Sequence, residues 1–472
     1  MQQTRNILLF LQLTLVVLIF NPFFYTFFNV QQDSFDLQRV TEWGVFGLAV
    51  LLVLVDKPLR LQTLGVLQNF APYHRIFLIA LFSLGVISSL CARFPLDGLL
   101  EVMSFYCLFF SSLVFAGVVS LNKKDCIEGF QYFLLLAMGL STLIAFMVWL
   151  FAINHPQALT DPSNQLSSPG YMNRRFYDDL QCMAIPFLIS FACLKTNSPL
   201  IRMLSFFILS FCYTRGLMGG SRIYYYETAL FTILFPLIYR KASIRFLSTQ
   251  WLAIAFGIAL YFLMYVHSHT DYYAFSLTYL NHRALLWSIA TAMSLNHPLL
   301  GVGPMHFGVY AYPLENYAAH PHNMILFIAS QWGILALLCV LVLMLSIRPV
   351  YREHPLLSMA LLGSLLIGIL MMQVDDLMQM PAGQMMLMGV VGLSIGLSAG
   401  RAPLITQKVL SPGIQWLPIA FAIIAFLGIL GIGGPIFLDD YASIFRFFNA
   451  CQGQSQCLVA PDYWSQGFMQ LH

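Results

Sequence analysis

At 472 residues, the chain is 59% hydrophobic and only 9% charged, with a mean hydropathy of +0.76. A soluble domain carries about 25% charged residues, so this composition excludes ordinary water-soluble domains. The formal charge of +3 is small and dispersed, and without a dense basic stripe it excludes nucleic acid as a partner.

Apolar blocks, most of them roughly 18–25 residues long, match the length needed to cross a hydrocarbon core of about 30 Å. They are read at 7–28, 42–56, 74–91, 97–119, 130–153, 178–194, 200–217, 221–239, 250–267, 322–347, 356–374, 382–399 and 414–434. None alternates as a barrel strand would, so they predict an all-α, polytopic transmembrane helical bundle of about 12–13 helices. The block at 42–56 is short, and that at 221–239 contains Glu227. The first block, 7–28, is too long for a signal h-region and lacks a clear small-x-small cleavage site, so it is expected to remain as a membrane helix. No internal repeat or low-complexity tract is readable.

Basic residues set the orientation. With the N-terminus in the cytoplasm, fifteen of the 23 basic residues, including all six lysines, fall on the inner side. The other eight, all on the outer side, are Arg39, Arg93, Arg174, Arg175, Arg215, Arg222, Arg283 and Arg446. The alternation holds along the whole chain and places the C-terminus outside. The expected organisation is a helical domain over 1–434, a large outer loop over 268–321 within it, and an outer tail over 435–472. The loop is expected to contain a short amphipathic helix over 283–295, ending before His297-Pro298, and then a bend at Gly301-Val302-Gly303-Pro304. So long a connection beside otherwise short ones is more often functional than accidental.

Most of the nine cysteines lie inside apolar blocks, where burial explains them. Cys451 and Cys457 differ: they lie in the polar tail and are placed to close a small disulfide loop if it faces an oxidising compartment.

The outer arginines carry the most information. A guanidinium offers a rigid fork of donors suited to phosphate, which a lysine ammonium does not. For Arg39, Arg93 and Arg446 an ordinary surface role is preferred. Arg215 and Arg222 instead bracket a short turn, Gly216-Leu-Met-Gly-Gly-Ser221, whose glycines permit close approach of backbone to a ligand. Ionisable residues in such a setting are paired or functional. Glu227, about one and a half turns further on, is placed to pair with one of them; an anionic lipid headgroup or a diphosphate is the preferred partner.

His320 and His322, in Ala-His-Pro-His-Asn, stand where the long loop re-enters the membrane. Such a histidine can serve as a general base or orient an acceptor hydroxyl near neutral pH, with local capping as the alternative. No third ligand accompanies the pair, so no metal is expected. Asn323 is expected to cap the helix that follows. Asp271, Glu315, Asp375 and Asp376 are also outer residues, but no spacing selects one of them, whereas Asn173, Arg174, Arg175, Asp178 and Asp179 cluster after the 154–177 loop.

His322-Asn-Met-Ile-Leu326, followed after six residues by Gly333, resembles the HNxxLxxxxxxG signature of the O-antigen ligase and polymerase superfamily, which also contains bacterial O-oligosaccharyltransferases. Arg283-Ala-Leu-Leu-Trp287 and Asn296-His-Pro-Leu-Leu-Gly-Val-Gly-Pro304 resemble the R…W…hPllGvGp segment of that superfamily. Gly219-Gly-Ser-Arg222 resembles its TGSRG-like turn, with Ile223 where a glycine is common.

The resemblance implies a GT-C type membrane glycosyltransferase at the periplasmic face of the bacterial inner membrane, metal-independent and inverting, with no cofactor. It implies a glycan donor carried on undecaprenyl diphosphate, His322 as catalytic base, and Arg215, Arg222 and Arg283 as diphosphate ligands. His320 falls on the acceptor side, Glu227, Arg174 and Arg175 in support, and an apolar groove receives the polyprenyl tail. The preferred acceptor is lipid A–core. Alternatives are Ser/Thr of a pilin or other protein, favoured by Tyr171-Met-Asn-Arg-Arg-Phe176 with Gln181 and by Pro461-Asp-Tyr-Trp464, and a second glycan, as in a polymerase. A transporter or flippase of a lipid-linked anion is a different class; it would show inverted repeats or discontinuous helices, and neither is read.

Overall fold

The computed structural model describes residues 34–154, 174–268, 283–311, 320–345, 354–374, 377, 379–399 and 416–434. The helix expected at 7–28, the acids Asp271, Glu315, Asp375 and Asp376, and the tail with Arg446, Cys451 and Cys457 lie outside them.

Every regular element among the described residues is helical: α1 (Ser34–Val55), α2 (Lys57–Gln68), α3 (Pro72–Cys91), α4 (Pro95–Leu121), α5 (Lys123–Asn154), α6 (Arg174–Cys193), α7 (Pro199–Gly219), α8 (Ile223–Tyr239), α9 (Ser243–Ser268), α10 (Arg283–Asn296), α11 (Phe307–Ala311), α12 (Met324–Gln331), α13 (Ile334–Leu345), α14 (Pro355–Val374), α15 (Pro381–Ser398) and α16 (Trp416–Gly434). Nine helical stretches among these residues are long and apolar enough to cross a membrane, α8 and α9 counting as one. The fold is the polytopic helical bundle expected.

α6 is not one of the nine, because Arg174, Arg175, Asp178 and Asp179 dilute its apolar character. It is nevertheless the central helix. Residues 177–191 are buried without exception, enclosed by α5, α7, α8, α9, α14 and α15. Pro186 lies inside it and removes a helical donor; one turn away the Ser364 hydroxyl of α14 donates to the Met183 carbonyl at 2.6 Å. α4 and α15 approach closely through small residues, since a Cβ on Gly392 or Gly396 would meet the Ser112 or Ala116 carbonyl of α4.

Three expectations need correcting. The 42–56 block is part of a longer helix, α1, whose first half holds a buried polar cluster. There Arg39, far from being an ordinary surface residue, is 1% exposed. Its guanidinium donates to Glu42 Oε2 and Gln384 Oε1, each at 2.7 Å, and to the Gln379 carbonyl at 2.5 Å. A second helix, α2, follows at once; Asp56 caps it by accepting from the Leu59 N–H, and Pro58 stands in its first turn. It is too polar to read as a span. Arg60 on it donates back to the Val53 and Leu54 carbonyls and stacks on Trp416 of α16.

The third correction matters most. The block at 322–347 is two helices, α12 and α13, broken at Trp332-Gly333. A break inside an apolar bundle frees backbone groups that need partners. The loop after α10 supplies them: Val302 N–H donates to the Ser330 carbonyl at 2.8 Å, Gly303 N–H to the Gln331 carbonyl at 2.9 Å, and Ile334 N–H to the Pro298 carbonyl at 2.9 Å. Ser88 of α3 donates to the Leu300 carbonyl at 2.5 Å and to Gln331 O at 3.1 Å. Trp332 anchors the break from the other side, its indole N–H donating to Glu101 of α4 at 2.8 Å. Gly301 and Gly333 have φ of 67° and 87°, and a Cβ on Gly333 would collide with the Leu299 carbonyl.

Gly333→Ala is therefore expected to lose both the left-handed turn and the loop contact, destabilising the protein by about 2 kcal/mol or more. Thermal unfolding of the detergent-purified variant measures this; an unchanged melting temperature contradicts the backbone junction.

Candidate functional site

The ends of α6 (first turn), α7 (last turn), α14 (last turn) and α12 (first turn) lie at one end of the bundle. α6 runs antiparallel to α7 and α14, and Asn323, at the start of α12, donates to the Gln373 carbonyl at the end of α14 at 3.1 Å. The sequence-predicted residues gather at this end in two groups, joined through α6 and α14.

The first group surrounds Arg215, which is 1% exposed. Its guanidinium donates to the Ser141 hydroxyl of α5 at 2.8 Å and lies over the Tyr177 ring of α6, 3.9 Å from the centroid. A cation desolvated against an aromatic face is held firmly. Beside it runs a hydrogen-bonded chain: the Tyr224 hydroxyl donates to Asp178 Oδ1 at 3.0 Å, and Gln181 Nε2 donates to the Tyr224 oxygen at 2.7 Å and the Cys212 carbonyl at 2.8 Å. Tyr224 reaches this position because Gly216 has no Cβ to obstruct its ring.

The glycine turn is shorter than the sequence suggests. α7 continues to Gly219, and Gly220, at φ 61°, closes it with paired bonds from the Gly220 and Ser221 amides to the Leu217 and Gly216 carbonyls. Arg222 then precedes α8 in helical geometry, half-buried, and Ile223 begins that helix in the core. The glycine usual at 223 is not needed for this path. Glu227 does not pair with Arg215 or Arg222: it is fully buried, faces the Cys182 thiol of α6, and forms no ion pair among the described residues. The cause is its depth along α8. Arg174 and Arg175 open α6, and their side chains lie outside the described residues.

The second group lies where α10 meets α12. His320 and His322 are half-buried, their rings 4.5 Å apart at 61°. The intervening Pro321 is fixed by the Trp287 indole, which donates to its carbonyl at 3.0 Å. Arg283 starts α10 one turn before Trp287 and is also half-buried. On the other side Asn323 caps α12 as expected, its Oδ1 accepting from the Leu326 N–H at 3.0 Å. Between these two anchors His322 adopts φ 51°. A left-handed non-glycine residue costs roughly 1–2 kcal/mol and persists only where its surroundings enforce it.

An apolar cavity of about 660 Å³ begins at Met324, two residues from His322, and continues past Phe327, Trp332 and Phe105 to His74 and Met344 at the opposite end of the bundle. α3, α4, α12, α13 and α15 wall it.

Residues 203–341 match the family model described as O-antigen ligase. No curated protein matches the chain. The matched segment contains the turn at Gly220, the loop over 298–303, both histidines and the helix break at Trp332-Gly333, so the motif resemblance and the family match fall on the same residues. The nine long apolar helical stretches among the described residues, together with this match, make the chain a multi-pass membrane protein similar over 203–341 to O-antigen ligases. Sequence reading missed Trp332, Gln331 and His306. The first two were hidden inside an apparently continuous apolar block; His306 had as its only signal the two glycine bends just before it.

Trp287→Phe keeps the aromatic packing and deletes one hydrogen bond to Pro321, a loss of about 1 kcal/mol. Faster hydrogen exchange over 320–323 with an unchanged melting temperature is expected. Unaltered exchange there would show that the indole does not hold the histidine segment.

Proposed function

We propose that the protein transfers a glycan from undecaprenyl diphosphate to an acceptor hydroxyl at the periplasmic face of the bacterial inner membrane, with the N-terminus cytoplasmic and the C-terminus periplasmic. The observation that carries this reading is His322, strained at φ 51° and pinned on both sides just before the first turn of a half-helix.

The chemistry follows from the groups available. His322 takes the proton of the acceptor hydroxyl as its oxygen attacks the anomeric carbon. The bond from that carbon to the diphosphate breaks with inversion, and the diphosphate leaves with the electron pair. Arg283, Arg222 and Arg215 stabilise the charge that grows on it. The start of α12 adds the positive end of a helix dipole beside the same point. His320 lies beside His322 and orients the acceptor, with Arg174 and Arg175, which open α6, in a supporting role. Glu227 stands apart from the arginines and supports the packing of α8 on α6. The apolar cavity from Met324 inward takes the polyprenyl chain, leaving its diphosphate at the histidine end. The organisation proposed is a helical domain over 1–434 with the long loop over 268–321 within it on the outer side, and the outer tail over 435–472 after it.

Lipid A–core is the proposed acceptor. Protein Ser/Thr, and a growing glycan, use the same chemistry at the hydroxyl, so reconstitution with an undecaprenyl-diphosphate glycan and each acceptor separately decides among them by product mass. A transporter is the second reading, favoured by the discontinuous helix that the sequence did not reveal. Donor movement between leaflets without product would select it.

His322→Ala should abolish transfer while insertion and donor binding persist; normal transfer sinks the base assignment. Arg283→Lys should lower the rate by about tenfold or more despite conserved charge, because the fork is lost. A near-normal rate would leave Arg283 a remote electrostatic role.

A further inference from the structure

His306 has no accessible surface, and both of its ring nitrogens are engaged. Nδ1 lies 2.6 Å from the Pro304 carbonyl, which can only accept. Nε2 lies 2.9 Å from the Phe94 backbone nitrogen, which donates its N–H. This bonding assigns the proton to Nδ1 and requires a neutral ring. A proton on Nε2 would set one N–H against another and release Phe94.

The ring also stacks on the Phe94 side chain, with centroids 5.7 Å apart and planes 21° from parallel. Close by, the gap at Gly303 is filled by Ala92. His306 thus fastens the short turn between α3 and α4 to the loop that covers the helix break. The hold continues inward, because Phe307 N–H donates to Gln331 Oε1 at 3.2 Å and Gly303 N–H to the Gln331 carbonyl. Gln331 ends α12, whose first turn follows His322.

Among charged groups Arg93, in the α3–α4 turn, acts on the ring; Asp97 stands in the first turn of α4, and neutral Gln331 of α12 bonds the neighbouring Phe307 amide. Burial is the largest influence and holds the imidazole below its ordinary value of 6.5; the Pro304 carbonyl opposes this, and the Arg93 charge adds to it.

We propose that His306 is a positioning residue for the transfer reaction: its neutral ring clamps the α3–α4 turn to the 298–307 loop and so fixes α12 and His322, and its protonation opens the clamp. The proposal rests on the transfer reading only for its consequence in activity. Because the folded-state value is depressed, the clamp's contribution is complete above about pH 6.5 and is lost as pH falls through the lower folded value.

The test is hydrogen–deuterium exchange on the full chain in lipid nanodiscs between about pH 8 and about pH 5, corrected for the intrinsic pH dependence of exchange. Peptides over 92–98 and 300–307 report the clamp. In the unaltered protein their protection should fall by about tenfold for each unit between about pH 6.5 and the lower folded value, and level off below it. His306→Gln keeps an acceptor for Phe94 N–H but does not titrate, so its protection should not vary with pH, and the acid limb of its transfer rate should flatten. If that variant misfolds, the pH series on the unaltered protein still decides, with a histidine ring titration by NMR alongside. Protection that ignores pH, or an equal pH dependence in His306→Gln, overturns the clamp. A pH-dependent clamp in a protein that transfers no glycan supports the clamp and overturns the transfer reading instead.

Discussion

An apolar bundle cannot leave a backbone group without a partner, and the break between α12 and α13 is where this constraint organises the structure. An uninterrupted helix satisfies its own amides and carbonyls. Interrupting it at Trp332-Gly333 exposes Ser330 O, Gln331 O and the Ile334 N–H, and each is taken up by the 298–303 segment. The segment can approach only because Gly301 and Gly333 have no side chains at the contact. The two glycine motifs that look unrelated along the chain are therefore the two sides of one junction. The half-helix that results begins at Asn323, which places His322 at a helix start within the bundle rather than at the end of a full-length span.

A second cost is borne in the centre. α6 brings Asp178, Asp179 and Gln181 into full burial, and Arg215 joins them from α7. Burying such groups is unfavourable unless they are bonded. The bonds through Tyr224, Gln181, the Cys212 carbonyl and Ser141 tie α5, α6, α7 and α8 into one arrangement. A network that loses most of its bonds when one helix shifts specifies position better than apolar contact does. The same logic applies to Arg39, whose bonds to Glu42, Gln384 and the Gln379 carbonyl lock α1 onto the start of α15.

Much of the fold was legible because lipid leaves few ways to fold an apolar block: most described spans coincide with a block to within a few residues, α1, α5 and α9 starting seven or eight residues earlier, and α10 begins at the arginine expected. The errors share one physical origin. Hydropathy records what a side chain prefers, not what its backbone does, so the 322–347 block reads as one span although its carbonyls turn to a distant loop midway. It also fails where polar groups are buried against each other, which is why α1 was read too short and Arg39 was placed on the surface. At the site, His322 and its capping Asn323 were readable from local pattern. His306 was not, since its partner Phe94 is more than two hundred residues away in sequence.

The broken helix bears directly on the choice between moving a lipid-linked glycan and transferring it. In a transporter the groups freed by unwinding face the substrate, and the half-helix ends are the binding elements. Here the carbonyls of Ser330 and Gln331 and the amide of Ile334 are already occupied by the loop, and Trp332 is bonded to Glu101. Moving that segment would cost several bonds at once in surroundings where water is scarce. The break is thus better suited to holding α12 still than to opening a path. What it holds still is the strained histidine at the other end of α12, and a rigidly held base is what a proton transfer timed with bond cleavage requires.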